Sequence, residues 1–487
     1  MSSQDEALKT VAGWLDEHRT LGTSLSDRIW ELAEPGLCEQ RSAEALCETL
    51  ADNGFSVETG VAGMPTAFVA RYGTGSPTIA LMCEYDATPG ESQLPVPYPA
   101  PVSPIAAGFT DLHNGIGAAS VAAAVAVRQA MAEHGLPGSI TVFGTPAEKL
   151  CVGKPFLARD GHFDGLDAVV AWHPRPYSTV EWDDGPGCYQ AEVYDFGGTS
   201  TYASKPWTGV SALDALTLMN VIVQFLREHI PPAYRASVNE LVSSGGQHPT
   251  ALPNHAQAWY VHRSLTREGI DHVAAALDRA ASSAATALGA TYSRRVVAAT
   301  RPWLPNHSLA RAAYRGLERA GAPAFPAPMR DLAAQVLQRL GRTDIDPPFD
   351  ETLTPPQSRI TREFAGGADD VTEFCWHAPT ARIYVAYGIA ASGLPNWAQG
   401  LFSGTPVAHQ TVHTAAKAIA LTTVELLTSP EVLAEAAAEF QERVAQAGPM
   451  PPLLDPDTRP PVDPGSAPPY VREHLVAQMG RATEVPA

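Results

Sequence analysis

Short apolar runs that each end in polar residues constrain this chain most. Thr78–Cys83 leads into Glu84-Tyr85-Asp86, Ile140–Phe143 leads into a loop carrying Glu148-Lys149, and Ala168–Ala171 ends at Trp172-His173-Pro174. Short apolar runs bounded by turn residues read as buried strands. Between the first two lies a long Ala/Val-rich pattern that predicts a helix opening after Asn114, a good N-cap, and running toward His134. Strands alternating with helices close into a mostly parallel α/β sheet. Such sheets build their sites beyond the strands' C-terminal ends, where these polar residues collect.

The 487 residues are enough for two or three domains, and 45% apolar with 17% charged residues suits a globular chain. A net charge of −19 argues against nucleic acid or an anionic membrane as the main partner. The start, Met-Ser-Ser-Gln-Asp-Glu, has no basic region followed by an apolar stretch. No apolar run is expected to reach the roughly 18 residues that span a bilayer, so a cytoplasmic location is expected. Cysteines 38, 47, 83, 151, 188 and 375 lie far apart without zinc-type spacing and read as reduced thiols.

Residues 1–184 read as the first part of a catalytic α/β domain, helical to about residue 55 and alternating strand and helix from Ala67. The texture shifts near Gly185. Tyr189–Phe196 alternates as a strand, Ser211 with Asp214 starts an amphipathic helix over Ala212–Glu228, and Ala256–Arg263 is another strand. Residues 185–298 therefore read as an inserted α+β lid or dimerisation domain. The α/β texture resumes over 299–430, with a strand at Arg382–Ala386 and a helix at Thr414–Leu427. A C-terminal helix and a Pro-rich tail occupy 431–487.

A carboxylate at a strand's end beside scattered His and Asp suggests a metal-assisted hydrolase. Asp111 and His113, two apart in extended backbone, can face one metal or can cap the following helix. His173, Glu148 and His409 are each ambiguous alone. Together they are more suggestive than any one alone of the two or three His/carboxylate ligands, open position and nearby base that zinc or manganese hydrolysis needs.

The chain resembles the dinuclear metallopeptidase family of carboxypeptidase G and aminoacylase, over about residues 20 to 430. The branch most like it acts on aminobenzoyl-glutamate and on dipeptides. The signposts are Thr66–Ala70, Glu84–Gly90, Gly144–Glu148, Trp172–Pro174, Pro206–Gly209 with Ala212–Ala215, and Ala415–Lys417. The resemblance implies a zinc-peptidase α/β sandwich with a mixed, mostly parallel sheet, interrupted by a dimerising α+β lid. It places His113 and His173 on one metal, Asp111 as the bridging ligand, His409 on the second metal and Glu148 as general base. Asp86 and Lys149 join the catalytic candidates. Asn114, Arg263 and Asp370 fall at substrate-binding positions.

Three departures stand out. Phe109 replaces a family His, the lid His that covers the partner's site becomes Tyr202, and the lid Asn becomes Thr250. Lys149 stands where the second metal's carboxylate belongs. An ammonium cannot ligate and repels a nearby cation. The resemblance then leaves one divalent ion on Asp111, His113 and His173, no ion, or two. It implies an amidohydrolase for a small acylamino-acid, dipeptide-like or aryl-amide substrate, acting as a homodimer. A non-hydrolytic enzyme (cyclisation, acyl transfer or elimination) and a non-catalytic dimeric relative stay open beside it.

Overall fold

The computed structural model describes residues 3–357, 368–391, 393–463 and 466–471. The end of the expected Pro-rich tail, after residue 471, lies outside the described residues. Among the described residues eleven strands are formed: β1 (Ser56–Thr59), β2 (Phe68–Thr74), β3 (Thr78–Cys83), β4 (Gly138–Gly144), β5 (Ala168–Arg175), β6 (Thr179–Val180), β7 (Cys188–Gly197), β8 (Ser237–Ser244), β9 (His255–Ser264), β10 (Thr291–Thr300) and β11 (Thr380–Ala386).

Seven strands make one mixed sheet in the order β1-β2-β4-β3-β5-β11-β6. At its centre β4 pairs parallel with β3, β3 with β5, and β5 with β11. β2 pairs antiparallel with β4 and β1, and β6 antiparallel with β11. The central strands are buried on both faces, which explains their continuous apolar runs. The expected α/β class with a mostly parallel core is what the chain adopts.

The helix His113–His134 is long and apolar enough, by length and composition, to cross a bilayer, contrary to the expectation that no run would be. It is instead a core helix, buried from His113 through Val127. Its alanines let neighbouring helices approach closely: Gly22 would meet Ala122 Cβ at 3.3 Å if it carried a Cβ.

The second sheet is antiparallel, in the order β10-β7-β9-β8. Helices Ala212–Leu226 and Arg267–Leu288 contribute to its own apolar cluster, which includes Tyr194, Phe196, Leu216, Met219, Val273 and Leu277. The Ser211 side chain accepts from Asp214 N at 3.2 Å, as the capping signature predicts. The six cysteines form no disulfide.

Candidate metal and catalytic site

The site forms where β3, β4 and β5 end. Glu84 and Asp86 follow β3, Glu148 and Lys149 follow β4, and His173 lies near the end of β5. His113 opens the core helix. Backbone conformation aims these groups at one another. Ala147 and Cys151, with φ of 56° and 51°, bracket the short turn that carries Glu148 and Lys149. Leu112, at φ 63°, sits between Asp111 and His113. Left-handed backbone at a non-glycine residue costs roughly 1–3 kcal/mol and persists where the surroundings hold it. Gly153 is needed behind the turn, because a Cβ there would lie 2.2 Å from Pro146 O.

Lys149 is the hub. Its Nζ lies 2.8 Å from Asp111 Oδ2, 2.7 Å from His113 Nε2 and 3.4 Å from Glu148 Oε2, and its backbone N–H donates to Asp86 Oδ2 at 2.9 Å. Burial opposes the charge, but Asp111, Glu148 and Asp86 outweigh it and hold the ammonium well above the ordinary lysine range. Burial and Lys149 oppose a charged His113 ring while Asp111 and Asp86 push it up to about 9; with the ammonium, which can only donate, 2.7 Å from Nε2, the ring accepts there. His113 in turn donates from Nδ1 to Asp86 Oδ1 at 2.7 Å, which assigns its tautomer. Burial pushes Asp86 up, yet His113 and Lys149 bring it below the usual carboxylate value. Burial, with Asp369 and Glu84 nearby, pushes Glu148 up to about 7 although Lys149 pulls the other way.

His173 meets the His113 ring edge-on at 5.8 Å between centroids. Burial and two arginines, Arg382 and Arg175, keep it neutral. Its Nδ1 lies 2.8 Å from Pro174 O and donates there, leaving the Nε2 lone pair free.

A second layer was not foreseen. Lys154, fully buried, bridges Glu84 Oε1 at 2.7 Å and Asp370 Oδ1 at 2.5 Å. Arg382 pairs with Asp369, and Glu39 accepts from Ala147 N at 2.7 Å. Burial pushes Asp370 up to about 7 and Glu39 up to about 8. Asp370, expected to touch substrate, is instead the buried partner of Lys154. A buried lysine on the short helix Gly153–Arg159 carries no sequence signal of its own; its partners come from distant strand ends.

Other expected residues lie elsewhere. His409, expected on a second metal, bonds Asp27 Oδ1 through Nε2 at 2.8 Å. The helix begins at Pro406 rather than Thr414, with Thr405 as N-cap and proline at its first position, so His409 lies in the first turn beside the Arg19–Leu32 helix. Asn114 is not the N-cap: Leu112 holds that position, and Asn114, expected at the substrate, is buried with Nδ2 donating to Ser26 and Ser403. Tyr202 is 75% exposed and bridges Ala251, beside exposed Thr250, whose hydroxyl meets His248 Nδ1 at 2.8 Å. No described contact joins either to Glu148. Arg263 stands over the Tyr189 ring at 6.0 Å, its Nε buried and without a partner.

A divalent cation fits this donor set. Among the described residues the carboxylates of Glu84, Asp86, Asp111, Glu148, Asp369 and Asp370 outnumber the cations paired with them, Lys149, Lys154 and Arg382 beside the His113 ring, and Glu84 Oε2 is buried without a hydrogen-bond partner. Excess negative charge in a low dielectric calls for a cation or for protons. Both imidazoles show the support typical of metal ligands, a carboxylate or carbonyl on the far ring nitrogen.

The fold and this geometry define a class: the chain belongs to the M20 family of metallopeptidases and amidohydrolases, hydrolases of amide bonds. No family model matches it. Among curated relatives it is 30% identical over 459 residues to one of the subunits of the p-aminobenzoyl-glutamate hydrolase of Escherichia coli K12, covering 90% of this chain and 95% of that one. It is also 30% identical over 297 residues to the Xaa-Arg dipeptidase of Mus musculus, 58% of this chain and 64% of that one. Among solved structures, an aminobenzoyl-glutamate utilization protein from Klebsiella pneumoniae matches with a TM-score of 0.55 at 17% identity, over 86% of this chain and 97% of that one. A dinuclear metal-binding peptidase of the M20 family from Bacillus subtilis matches with a TM-score of 0.52 at 17% identity, over 84% and 99%. The last two are likenesses of fold.

Proposed function

We propose that this chain hydrolyses the amide bond of a small acylamino-acid, dipeptide-like or aryl-amide substrate with one divalent ion, zinc or manganese, in place of two. The observation that carries the reading is the Lys149 ammonium seated among Asp111, His113 and Glu148. A second ion there would stand within a few ångströms of a fixed positive charge. Within the family, the residues that remain intact are the base and one histidine pair.

Glu148, poised near 7, takes a proton from the attacking water onto its carboxylate and later hands it to the leaving nitrogen. Lys149, 3.4 Å from Glu148 Oε2, offers a fixed positive charge to the substrate carbonyl oxygen. Asp86 holds both the His113 ring and the Lys149 backbone in place. A bound divalent ion supplies Lewis-acid activation of the water and carbonyl. Arg263, with its unpartnered Nε, suits a substrate carboxylate.

The working unit is a homodimer formed through the second sheet. Its edge strand β8 exposes Leu241 and Val242, and the Ala212–Leu226 helix exposes Val221 and Phe225. An unpaired edge with apolar side chains favours association. Tyr202 and Thr250, with no described contact to their own Glu148, then serve the partner's site.

Elemental analysis of protein purified without chelator tests the metal reading. A count near one ion per chain is expected, and a count near zero or two refutes it. Incubation with acylamino-acid and dipeptide libraries tests the reaction, since hydrolysis adds the mass of one water.

A further inference from the structure

Resting on the one-ion reading, we propose that the ion's carboxylate ligand is Glu84, so that the ion sits on Glu84, His113 and His173 and Asp111 does not bind it. The resemblance assigned that role to Asp111, but Asp111 Oδ2 is bound to the Lys149 ammonium at 2.8 Å, and its side chain is 38% exposed. An ion placed on Asp111 would have to take its oxygen from that ammonium as well as the His113 lone pair, whereas an ion on Glu84 takes only the lone pair and leaves the Lys149–Asp111 pair intact.

Glu84 has the opposite environment. Its side chain is fully buried. Lys154 clamps Oε1 at 2.7 Å, itself held by Asp370, and this leaves Oε2 buried with no partner. Leaving a carboxylate oxygen unmet in the interior is costly unless something else meets it. Oε2 lies 3.7 Å from His113 Nε2, and ligand atoms of Glu84, His113 and His173 all fall within 4.8 Å of one another. Tetrahedral zinc with bonds of about 2.0–2.2 Å sets its donors about 3.4 Å apart, so small side-chain shifts close this set.

Each imidazole is prepared for that role. His113 donates from Nδ1–H to Asp86 and His173 from Nδ1–H to Pro174 O, so both Nε2 atoms offer lone pairs. His113 Nε2 has one lone pair, now accepting from Lys149 at 2.7 Å. Ion binding therefore releases Lys149 from His113 and leaves it with Asp111 and Glu148. The lysine then neutralises the family's bridging carboxylate while the ion moves to the neighbouring one.

The decisive experiment is an anomalous-scattering map of zinc-loaded wild-type crystals. One zinc peak is expected, bonded to a Glu84 oxygen, His113 and His173, with Asp111 still on Lys149. One peak bonded to Asp111 without Glu84 overturns the ligand assignment and keeps the one-ion reading. No peak, or two, overturns the one-ion reading and the assignment with it. Calorimetric titration with Zn²⁺ gives an independent readout. Glu84→Gln, checked for folding by its circular dichroism, should weaken binding at least about tenfold, and Asp111→Asn should change it by less than about threefold. Equal affinity of Glu84→Gln and wild type would refute the assignment even if wild-type crystals could not be grown.

Discussion

Lys149 Nζ lies 2.8 Å from Asp111 Oδ2, so a side-chain cation neutralises the carboxylate that the family resemblance implies as a bridge between two metals. An ammonium tethered to the backbone cannot be chelated away, and it supplies charge without Lewis acidity. The exchange is made by one residue. Lys149→Glu is therefore expected to raise the metal content from about one to about two ions per chain, read by elemental analysis. A count that stays at one would mean that His409, held by Asp27, cannot complete a second site.

Glu148 is nearly buried, and its carboxylate is 3.5 Å from His113 Nε2. Replacing it by glutamine keeps the shape and removes the base. Turnover of any substrate found by mass screening should fall by about 10²–10⁴-fold, while calorimetric substrate affinity stays within a few-fold. Full activity in Glu148→Gln would remove Glu148 from the chemistry.

Much of this site was legible because its residues follow strands with strong local patterns. β3, β4 and β5 fall where the apolar runs placed them, and Asp86, His113, Glu148 and His173 converge as the motifs implied. Lys154 was illegible because its partners, Glu84 and Asp370, meet it only after distant segments fold together. Asp369 and Arg382 escaped notice for the same reason. His409 was misplaced through a boundary: the Thr405-Pro406 cap starts the helix eight residues before the apolar pattern becomes evident. Asn114 was read from its capping propensity, but the strained Leu112 took the cap position and buried Asn114 instead.

The dimer reading predicts that breaking the exposed apolar face of the second sheet separates the chains. Phe225 is 65% exposed and Leu241 54%, so replacing both by aspartate should cost the folded monomer little. Light scattering should report a shift from dimer to monomer, with hydrolysis lost as the partner's Tyr202 is withdrawn. Tyr202→Phe should then lower turnover in a protein that stays dimeric. A double variant that remains fully active as a monomer contradicts the partner role of Tyr202.

The second sheet also contains a buried ionic network whose stability should depend on pH. Glu192 is fully buried; its carboxylate meets His262 Nε2 at 3.2 Å, Tyr194 OH at 2.7 Å and Arg294 through Nε and Nη2 at 2.8 Å each. Burial pushes its pKa up, but His262 and Arg294 win and bring it from 4.5 down to about 2. A carboxyl with a depressed folded-state pKa stabilises the fold above its unfolded value, and that contribution disappears as pH falls toward the folded value. A fall of that size corresponds to about 3 kcal/mol at neutral pH. Glu192→Gln should therefore melt well below wild type at pH 7, and the gap should narrow as pH drops from 4.5 toward 2. A gap that stays constant across that window would show that Glu192 acts through packing alone.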